Sequence, residues 1–447
     1  MARIGGFRLA TSALAAAAVF AAPALAEPLT LAQAQLIALK RSPELGHAQS
    51  RVGASEAVKD QAKRERLPKL TVDAATGWRH VENTTRVNLG LSAVNEKPLY
   101  ATITLDQTLW DFGRIGSETR AQKANLSASR HEELAAGETV AFNVSRAYLQ
   151  AMVQERIMAA AEDNLAFHHK LSADVTEGVA RGAMSISERQ QAEERLQSAK
   201  VLVAQARSDL EAARAELALL IASDDFELSL PASPRGILPV SLAEAIAVAE
   251  VNDPRLHASQ DKLAAAGWSA KRTRSERWPT ISARGSARAG EDFQGYRGET
   301  KEYELLFAMR WPLFDGGIAA AKVRQADYLE DQARFALAAT QRDSELQVRK
   351  AWAALESWRS KFAEQQTRYA VAALVLDSYR AQFGIGRRSL LDLLDAQGSV
   401  YSATVDSEIA RFGTLLAEYG MLAQVNRLRG HFGIGKTEVD PRMYGPR

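Results

Sequence analysis

The chain repeats itself, and the repeat constrains what it can fold into. Leu31-Ala32-x-Ala34 returns as Leu242-Ala243-x-Ala245, and Pro43-x-Leu45 returns as Pro254-x-Leu256. Glu65-Arg66-Leu67-Pro68 returns as Glu276-Arg277-Trp278-Pro279, and all three share one offset of 211 (31 to 242, 68 to 279). Farther on the offset is 204 (109 to 313): Leu109-Trp110-Asp111-x-Gly113 matches Leu313-Phe314-Asp315-x-Gly317. Tyr148, Gly182, Ser185 and Ala192 match Trp352, Gly386, Ser389 and Ala396 at that same offset. The register holds ungapped from Leu109 to Ala192, longer than chance likeness between helices would keep it. Two structurally equivalent halves follow, 27–238 and 239–430. The change of offset places a loop between about Gly77 and Lys97.

Each half reads in the same order. A helix from Leu31 to about Arg66 opens behind Thr30-x-x-Gln33, and its counterpart opens behind Ser241-x-x-Glu244. Both are capping-box patterns, in which two side chains satisfy free backbone N–H groups. Pro68 and Pro279 cannot continue a helix, so the chain switches there. Period-two alternation then predicts two hairpins, 68–110 and 279–314, four strands in all. Ala101, Ile103, Leu105 and Leu109 alternate with Thr102, Thr104, Asp106 and Thr108. Tyr303, Leu305, Phe307, Met309, Trp311 and Leu313 share one parity, with Glu304 and Arg310 on the other. Ile281, Ala283 and Ala287 alternate with Ser282, Arg284, Ser286 and Arg288, and Leu70, Val72 and Ala74 with Thr71 and Asp73. The joining loops, around His80–Lys97 and Ala289–Lys301, are polar and contain glycine.

Long helices follow at 114–180 and 318–382, free of proline, with Gly137 far from either end of the first. A helix of ~65 residues is a rod of about 100 Å. Reversals at Arg181–Ser185 and Gly384–Ser389 lead into return helices 186–222 and 389–428. Opening and return helices end to end match the long one, so one continuous rod should lie beside two stacked half-length rods. The tail, 431–447, carries Pro441 and Pro446 and reads as loosely ordered, without a role.

Residues 1–26 read as a cleaved signal peptide. Arg3 and Arg8 precede an apolar run from Leu9 to Ala22, and Ala24-Leu25-Ala26 is a small-x-small cleavage site. The run is short of the ~20 residues of a spanning helix, and no later segment has such a run free of charge. If the exported protein enters a membrane, it must do so as a β-barrel, because only helices and closed barrels satisfy their backbone in lipid. Four strands with one apolar face cannot close a barrel alone, since membrane barrels have at least about eight. The strands must be shared: two, three or four copies would supply them, with the polar parity toward a water-filled lumen and the apolar parity toward lipid. The alternative is a soluble helical scaffold in the periplasm.

Little in the composition points to chemistry. Lys+Arg of 56 against Asp+Glu of 54 gives a net charge of +2, without the basic excess of a nucleic-acid binder. The absence of cysteine excludes disulfides, thiolate metal sites and a lipidated N-terminal cysteine. The seven histidines are scattered. His168 and His169 point about 100° apart on a helix and read as surface imidazoles. Gly384-x-Gly386 is too short for a phosphate loop, and neither a G-x-S-x-G elbow nor an H-E-x-x-H pair occurs. The chain reads as no enzyme, with no cofactor and no metal.

These residues resemble the TolC-type outer membrane efflux protein family over about Glu27 to Gly430. The likeness rests on Leu31 to Leu45, on Asn252-Asp253-Pro254, and on the strand starts Leu67-Pro68 and Trp278-Pro279. It rests also on the strand exits Trp110-Asp111-Phe112-Gly113-Arg114 and Phe314-Asp315-Gly316-Gly317, and on Gly386-x-x-Ser389-x-x-Asp392-x-x-Asp395-Ala396-Gln397. Lacking cysteine, the chain resembles the unlipidated branch. The resemblance implies a mainly α fold with β: long antiparallel helical hairpins forming an α-barrel tunnel, plus four strands given to a shared trimeric transmembrane β-barrel in the outer membrane of a Gram-negative bacterium. It implies an export duct in type I secretion or multidrug or metal efflux. Its partners would be a periplasmic adaptor, an inner-membrane transporter of ABC or proton-driven type, and outer membrane lipid, with no nucleic acid.

By the same resemblance the reversals form the periplasmic tip. Asp392 and Asp395 fall on positions whose carboxylates ring the aperture, and their i, i+3 spacing puts them on one helix face. Glu188 and Arg388 fall on positions of a gate-holding ion pair between neighbouring hairpins. Phe383 replaces a gate tyrosine and lacks its hydroxyl. Val179, Arg181, Gly182, Ala183 and Ser185 in one tip, and Gly384, Gly386, Arg387 and Arg388 in the other, are the adaptor-docking candidates. Ser185-x-x-Glu188 and Ser389-x-x-Asp392 are equally capping boxes, and Gly386 is equally a helix C-cap.

Overall fold

The computed structural model describes residues 28–82, 84–90, 92–293, 298–440 and 443. The signal-peptide reading of 1–26 lies outside them, as do Pro441 and Pro446. The first half runs α1 (Leu31–Arg41), α2 (Pro43–Arg64), β1 (Lys69–Thr76), β2 (Arg79–Val81), α3 (Thr84–Asn88), β3 (Val94–Glu96), β4 (Leu99–Trp110), α4 (Arg114–Ala180) and α5 (Ile186–Ile221). The second runs α6 (Leu242–Asn252), α7 (Pro254–Ser275), β5 (Thr280–Glu291), β6 (Glu299–Arg310), α8 (Ile318–Gly384), α9 (Leu390–Gln424) and the short α10 (Leu428–His431).

The opening helix of each half, expected to be continuous, is broken at the proline the two repeats share. Ser42 and Asp253 are extended, and each caps the next helix with its side chain while Pro43 and Pro254 take the first helical position. Proline lacks the N–H that a continuing helix would need, and its fixed φ suits a helix start. The segment expected to be a loop between Gly77 and Lys97 instead carries a small hairpin, β2 with β3, and the single turn α3. Glu96 of that hairpin is buried and paired with Arg79 at 2.9 Å.

The main sheet has the order β1-β4-β5-β6, antiparallel throughout. Its register puts the apolar parities of all four strands on one face: Val72 lies opposite Ile103, Ile103 opposite Ala287, and Ala287 opposite Tyr303. The other face carries Thr71, Asp73, Thr104, Asp106, Ser286, Arg288 and Glu304. None of the described residues covers the apolar face; Phe307 is 73% exposed and Val72 66%. Both outer strands, β1 and β6, keep one edge unpaired.

The strand-to-helix joints are built identically in the two halves. Asp111 accepts from the N–H of Gly113 (3.0 Å) and of Ile115 (2.7 Å), and Asp315 does the same for Gly317 and Ala319 at the same distances. Gly113 and Gly317 have φ of 86° and 90°, the left-handed region that glycine enters freely. Phe112 is left-handed too, where the second half has Gly316, and its ring stacks on Trp278 at 5.4 Å.

Helices α4 and α8 each have 67 residues, rods of about 100 Å. Along α4, α2 lines the part near the sheet and α5 the far part, with α1 meeting α5 between them; α7 and α8, α9 repeat the arrangement. The main core sits at this waist, where Leu39, Val144, Leu217, Leu355 and Leu422 from five helices are buried together. Tyr148 crosses it, its hydroxyl 2.6 Å from the Leu29 carbonyl and accepting from the Ser229 N–H at 2.9 Å, so it ties the chain's start to the linker between halves. Tyr419 donates to the Ala232 carbonyl in the same linker (2.7 Å).

The tail, expected to be loose, is docked as far as residue 440. Gln49 donates to the Thr437 carbonyl (2.6 Å) and accepts from the Val439 N–H (3.0 Å). Arg429 is buried, and its guanidinium lies where a Cβ on Gly137 would have to be. That contact accounts for a glycine deep inside a long helix.

Candidate functional site

The end of the molecule away from the sheet holds the two helix reversals, and each is set by backbone chemistry. After α4, Gly182 turns left-handed at φ 72°, and the N–H of Ala183 returns to the Gly178 carbonyl (2.9 Å). After α8, Gly386 has the same φ, and the N–H of Arg387 returns to the Gln382 carbonyl (2.9 Å). These backward bonds satisfy the last carbonyls of a helix, and glycine takes the left-handed position at least cost. Gly178 has a second role: a Cβ there would press on the Met184 thioether at 2.8 Å.

Ser185 and Ser389 start the return helices with complete capping boxes. Glu188 accepts from the Ser185 N–H at 2.7 Å, and Asp392 accepts from the Ser389 hydroxyl at 2.8 Å. The Ser185 N–H, then its hydroxyl, hold the Glu188 carboxyl below the ordinary glutamate range. The Ser389 hydroxyl, then its N–H, do the same for Asp392. Both groups are therefore firmly ionised caps. Asp395 is outside the box and exposed, and it faces Arg195 of α5 at 3.6 Å.

Arg388 turns back onto its own hairpin. It lies 4.2 Å over the Tyr379 ring, donates to Gln382 (3.0 Å), and stands 3.8 Å from Asp392. Among the described residues no ion pair or hydrogen bond joins Arg388 to Glu188 within one chain. Phe383 packs with Tyr379 and Met184 against a second core of Leu171, Val175, Ala192, Leu376, Leu390, Leu393 and Leu394, which locks the two hairpins together. Val179 is half-buried. Arg181 pairs with Glu177 at 3.5 Å, while Gly182, Ala183, Ser185, Gly384, Gly386 and Arg387 are exposed around the two turns.

Four residues here have no role in the sequence reading. Asn164 and Gln397 share a buried hydrogen bond of 3.0 Å between α4 and α9. Tyr379 precedes Phe383 by one helical turn, and Arg195 follows Glu188 by two. That i+7 spacing is the signal that puts Arg195 on the same helix face as Glu188. His168, read from its sequence as a surface imidazole, is buried, with its Nδ1 unpartnered. Burial first, then the Arg195 charge, holds its pKa below the ordinary histidine value. His169 is exposed.

Among the described residues no group of three or more His, Asp or Glu gathers as metal ligands, and no helix is long and apolar enough to cross a membrane. The arrangement is a narrow end of paired hairpins carrying exposed carboxylates, joined by long rods to a sheet with an uncovered apolar face.

The sequence model of the outer membrane efflux proteins matches this chain twice, over residues 36–223 and 245–430. The outer membrane efflux protein BepC of Brucella suis is 25% identical over 344 residues, which cover 76% of this chain and 75% of that protein. The alkaline protease secretion protein AprF of Pseudomonas aeruginosa is 23% identical over 410 residues, covering 89% of this chain and 83% of AprF. In fold the chain is similar to the Campylobacter jejuni CmeC outer membrane channel. The TM-score is 0.79 at 18% identity, over 89% of this chain and 86% of that one.

Proposed function

The chain belongs to the outer membrane efflux protein family, and on that premise we propose that three copies assemble into one export duct: twelve strands closing a barrel in the outer membrane, and the paired helical hairpins closing a tunnel into the periplasm. The observation that carries the shared barrel is the open sheet, and the family supplies the number three. Among the described residues its apolar face is uncovered and its two edges are free, and its opposite face is mostly polar, so lipid, water and sister strands are the surroundings that satisfy it. The duct performs no reaction. Cargo arrives from an inner-membrane transporter through a periplasmic adaptor that docks on the exposed turns around Gly182 and Gly386.

Asp392 and Asp395 of three chains line the aperture and favour cations in it. Arg388 helps hold the aperture closed, through Tyr379 and Gln382 on its own hairpin and through Glu188 of an adjacent chain. The test is conductance in planar lipid bilayers. The wild-type trimer should conduct weakly and be blocked by multivalent cations. Asp392→Ala with Asp395→Ala should weaken the block, and Arg388→Ser should raise the conductance. A protein that extracts without detergent and forms no channel would end the reading.

A further inference from the structure

The repeat offers a rule for the seam between chains. The offset of 211 carries β1 onto β5 (Lys69 onto Thr280), and the offset of 204 carries β4 onto β6 (Asp106 onto Arg310). The observed ladders obey both, since Lys69 lies opposite Asp106 and Thr280 opposite Arg310. The β4–β5 seam therefore joins the last main strand of one repeat to the first of the next, within one chain. In a closed ring the equivalent seam joins β6 of one chain to β1 of another.

Within the chain, Asp106 lies opposite Arg284 and pairs with it at 2.7 Å on the polar face. Carried across by the two offsets, Asp106 becomes Arg310 and Arg284 becomes Asp73. The signs exchange, but the pair stays opposite in charge. Both residues are exposed, and among the described residues neither has an ion pair. Across the ladder Asp73 faces Thr102, and Arg310 faces Thr280. The neighbouring positions agree. Leu105 opposite Gly285 becomes Met309 opposite Ala74, and Gln107 opposite Ala283 becomes Trp311 opposite Val72, apolar against apolar on the lipid face. Thr108 becomes Pro312, and Thr108 stands where the observed ladder slips. A residue without an N–H is tolerated at such an irregularity.

We propose that, in the trimer, β6 of one chain pairs antiparallel with β1 of the next in the single register that sets Arg310 opposite Asp73 of the partner subunit. Three such pairs and three Asp106–Arg284 pairs then form one ring of six ion pairs on the barrel's inner wall. An ion pair in a wet lumen adds little stability. Its effect is to select register, because a slip of two residues would keep the apolar face but set Arg310 opposite Thr71 or Ala75. The inference rests on the trimeric duct reading.

The chain has no cysteine, so oxidative crosslinking in isolated outer membranes has no background from the chain itself. Asp73→Cys with Arg310→Cys should give reducible covalent dimers and trimers, because directly opposed residues come within disulfide reach. Thr71→Cys or Ala75→Cys, each combined with Arg310→Cys, should crosslink about tenfold less, since diagonal neighbours stand too far apart. Preferred crosslinking through 71 or 75, or no crosslink at any pair in a trimer that still conducts, overturns the register alone. A monomer that forms no channel overturns the duct and the register together. Either single change sets like charges opposite each other and should weaken the trimer, and the charge swap Asp73→Arg with Arg310→Asp should recover it. Failure of that rescue in a trimer that crosslinks through 71 or 75 counts against the pair.

Discussion

Gln397 of the second return helix donates a buried hydrogen bond to Asn164 of the first long helix at 3.0 Å. It joins the two hairpins a few turns above the tip, beside the apolar cluster that holds Phe383. Removing one partner strands the other. Gln397→Leu should cost ~1–3 kcal/mol and raise the closed-state conductance. Asn164→Leu with Gln397→Leu should cost less than the sum of the singles. A double-mutant cycle on trimer melting, read beside single-channel recordings, checks both outcomes.

Cap and charge can be separated at the second reversal. Ser389→Ala removes the hydroxyl that caps α9 and should cost ~1 kcal/mol, seen as faster amide exchange in residues 389–394. Asp392→Asn keeps an oxygen that can accept from Ser389 but loses the negative charge. Its amides should stay protected while block by multivalent cations weakens. If Ser389→Ala weakens the block as much as Asp392→Asn does, the carboxylate serves the helix and not the aperture.

His168 gives the tip an acid limit. Its pKa is depressed in the folded chain, chiefly by burial. Below the ordinary value of 6.5 the unfolded chain takes up a proton that the folded tip refuses. The contribution of neutral His168 is thus fully present above pH 6.5 and is lost as pH falls toward the folded value. Amide exchange in residues 160–180, corrected for its intrinsic pH dependence, should speed up between pH 7 and 5. His168→Leu should flatten that change, since the unpartnered Nδ1 leaves no bond to lose.

Gly137 and Arg429 should behave as one unit. Any Cβ at 137 meets the guanidinium, so Gly137→Ala should destabilise by ~1–3 kcal/mol, as overpacking does, and release the tail from Gln49. Arg429→Ala alone should also release the tail. The double variant should be less harmed than additivity predicts, and urea melts of the three variants measure the coupling.

Much of the architecture could be read from the sequence because it is written twice. The alternation in β4 and β6 and the Leu-Trp-Asp and Leu-Phe-Asp exits fix strands and joints from local chemistry. The helix break at Pro43 went unread, although Ser42-Pro43 carries the signal for it, a cap and a first-position proline. The β2–β3 hairpin was not legible, because it lies in the segment where the offset changes and has no counterpart to compare. The tip was half legible. Ser185-x-x-Glu188 and Ser389-x-x-Asp392 announce their caps, but Arg195 facing Asp395 and Gln397 facing Asn164 are contacts between distant helices. No spacing along one helix encodes such a pairing. The docking of Thr437 and Val439 depends on Gln49, almost four hundred residues away in sequence, and composition alone suggested a free end.

Asp111 and Asp315 each grip two backbone N–H groups where strand becomes helix. A joint held in that way resists acting as a swivel. Twist applied to the far ends of α4 and α8 must reach the membrane wall or be absorbed along the rods themselves. A turn of the helices at the tip would therefore be passed along the rods and not released where strand becomes helix.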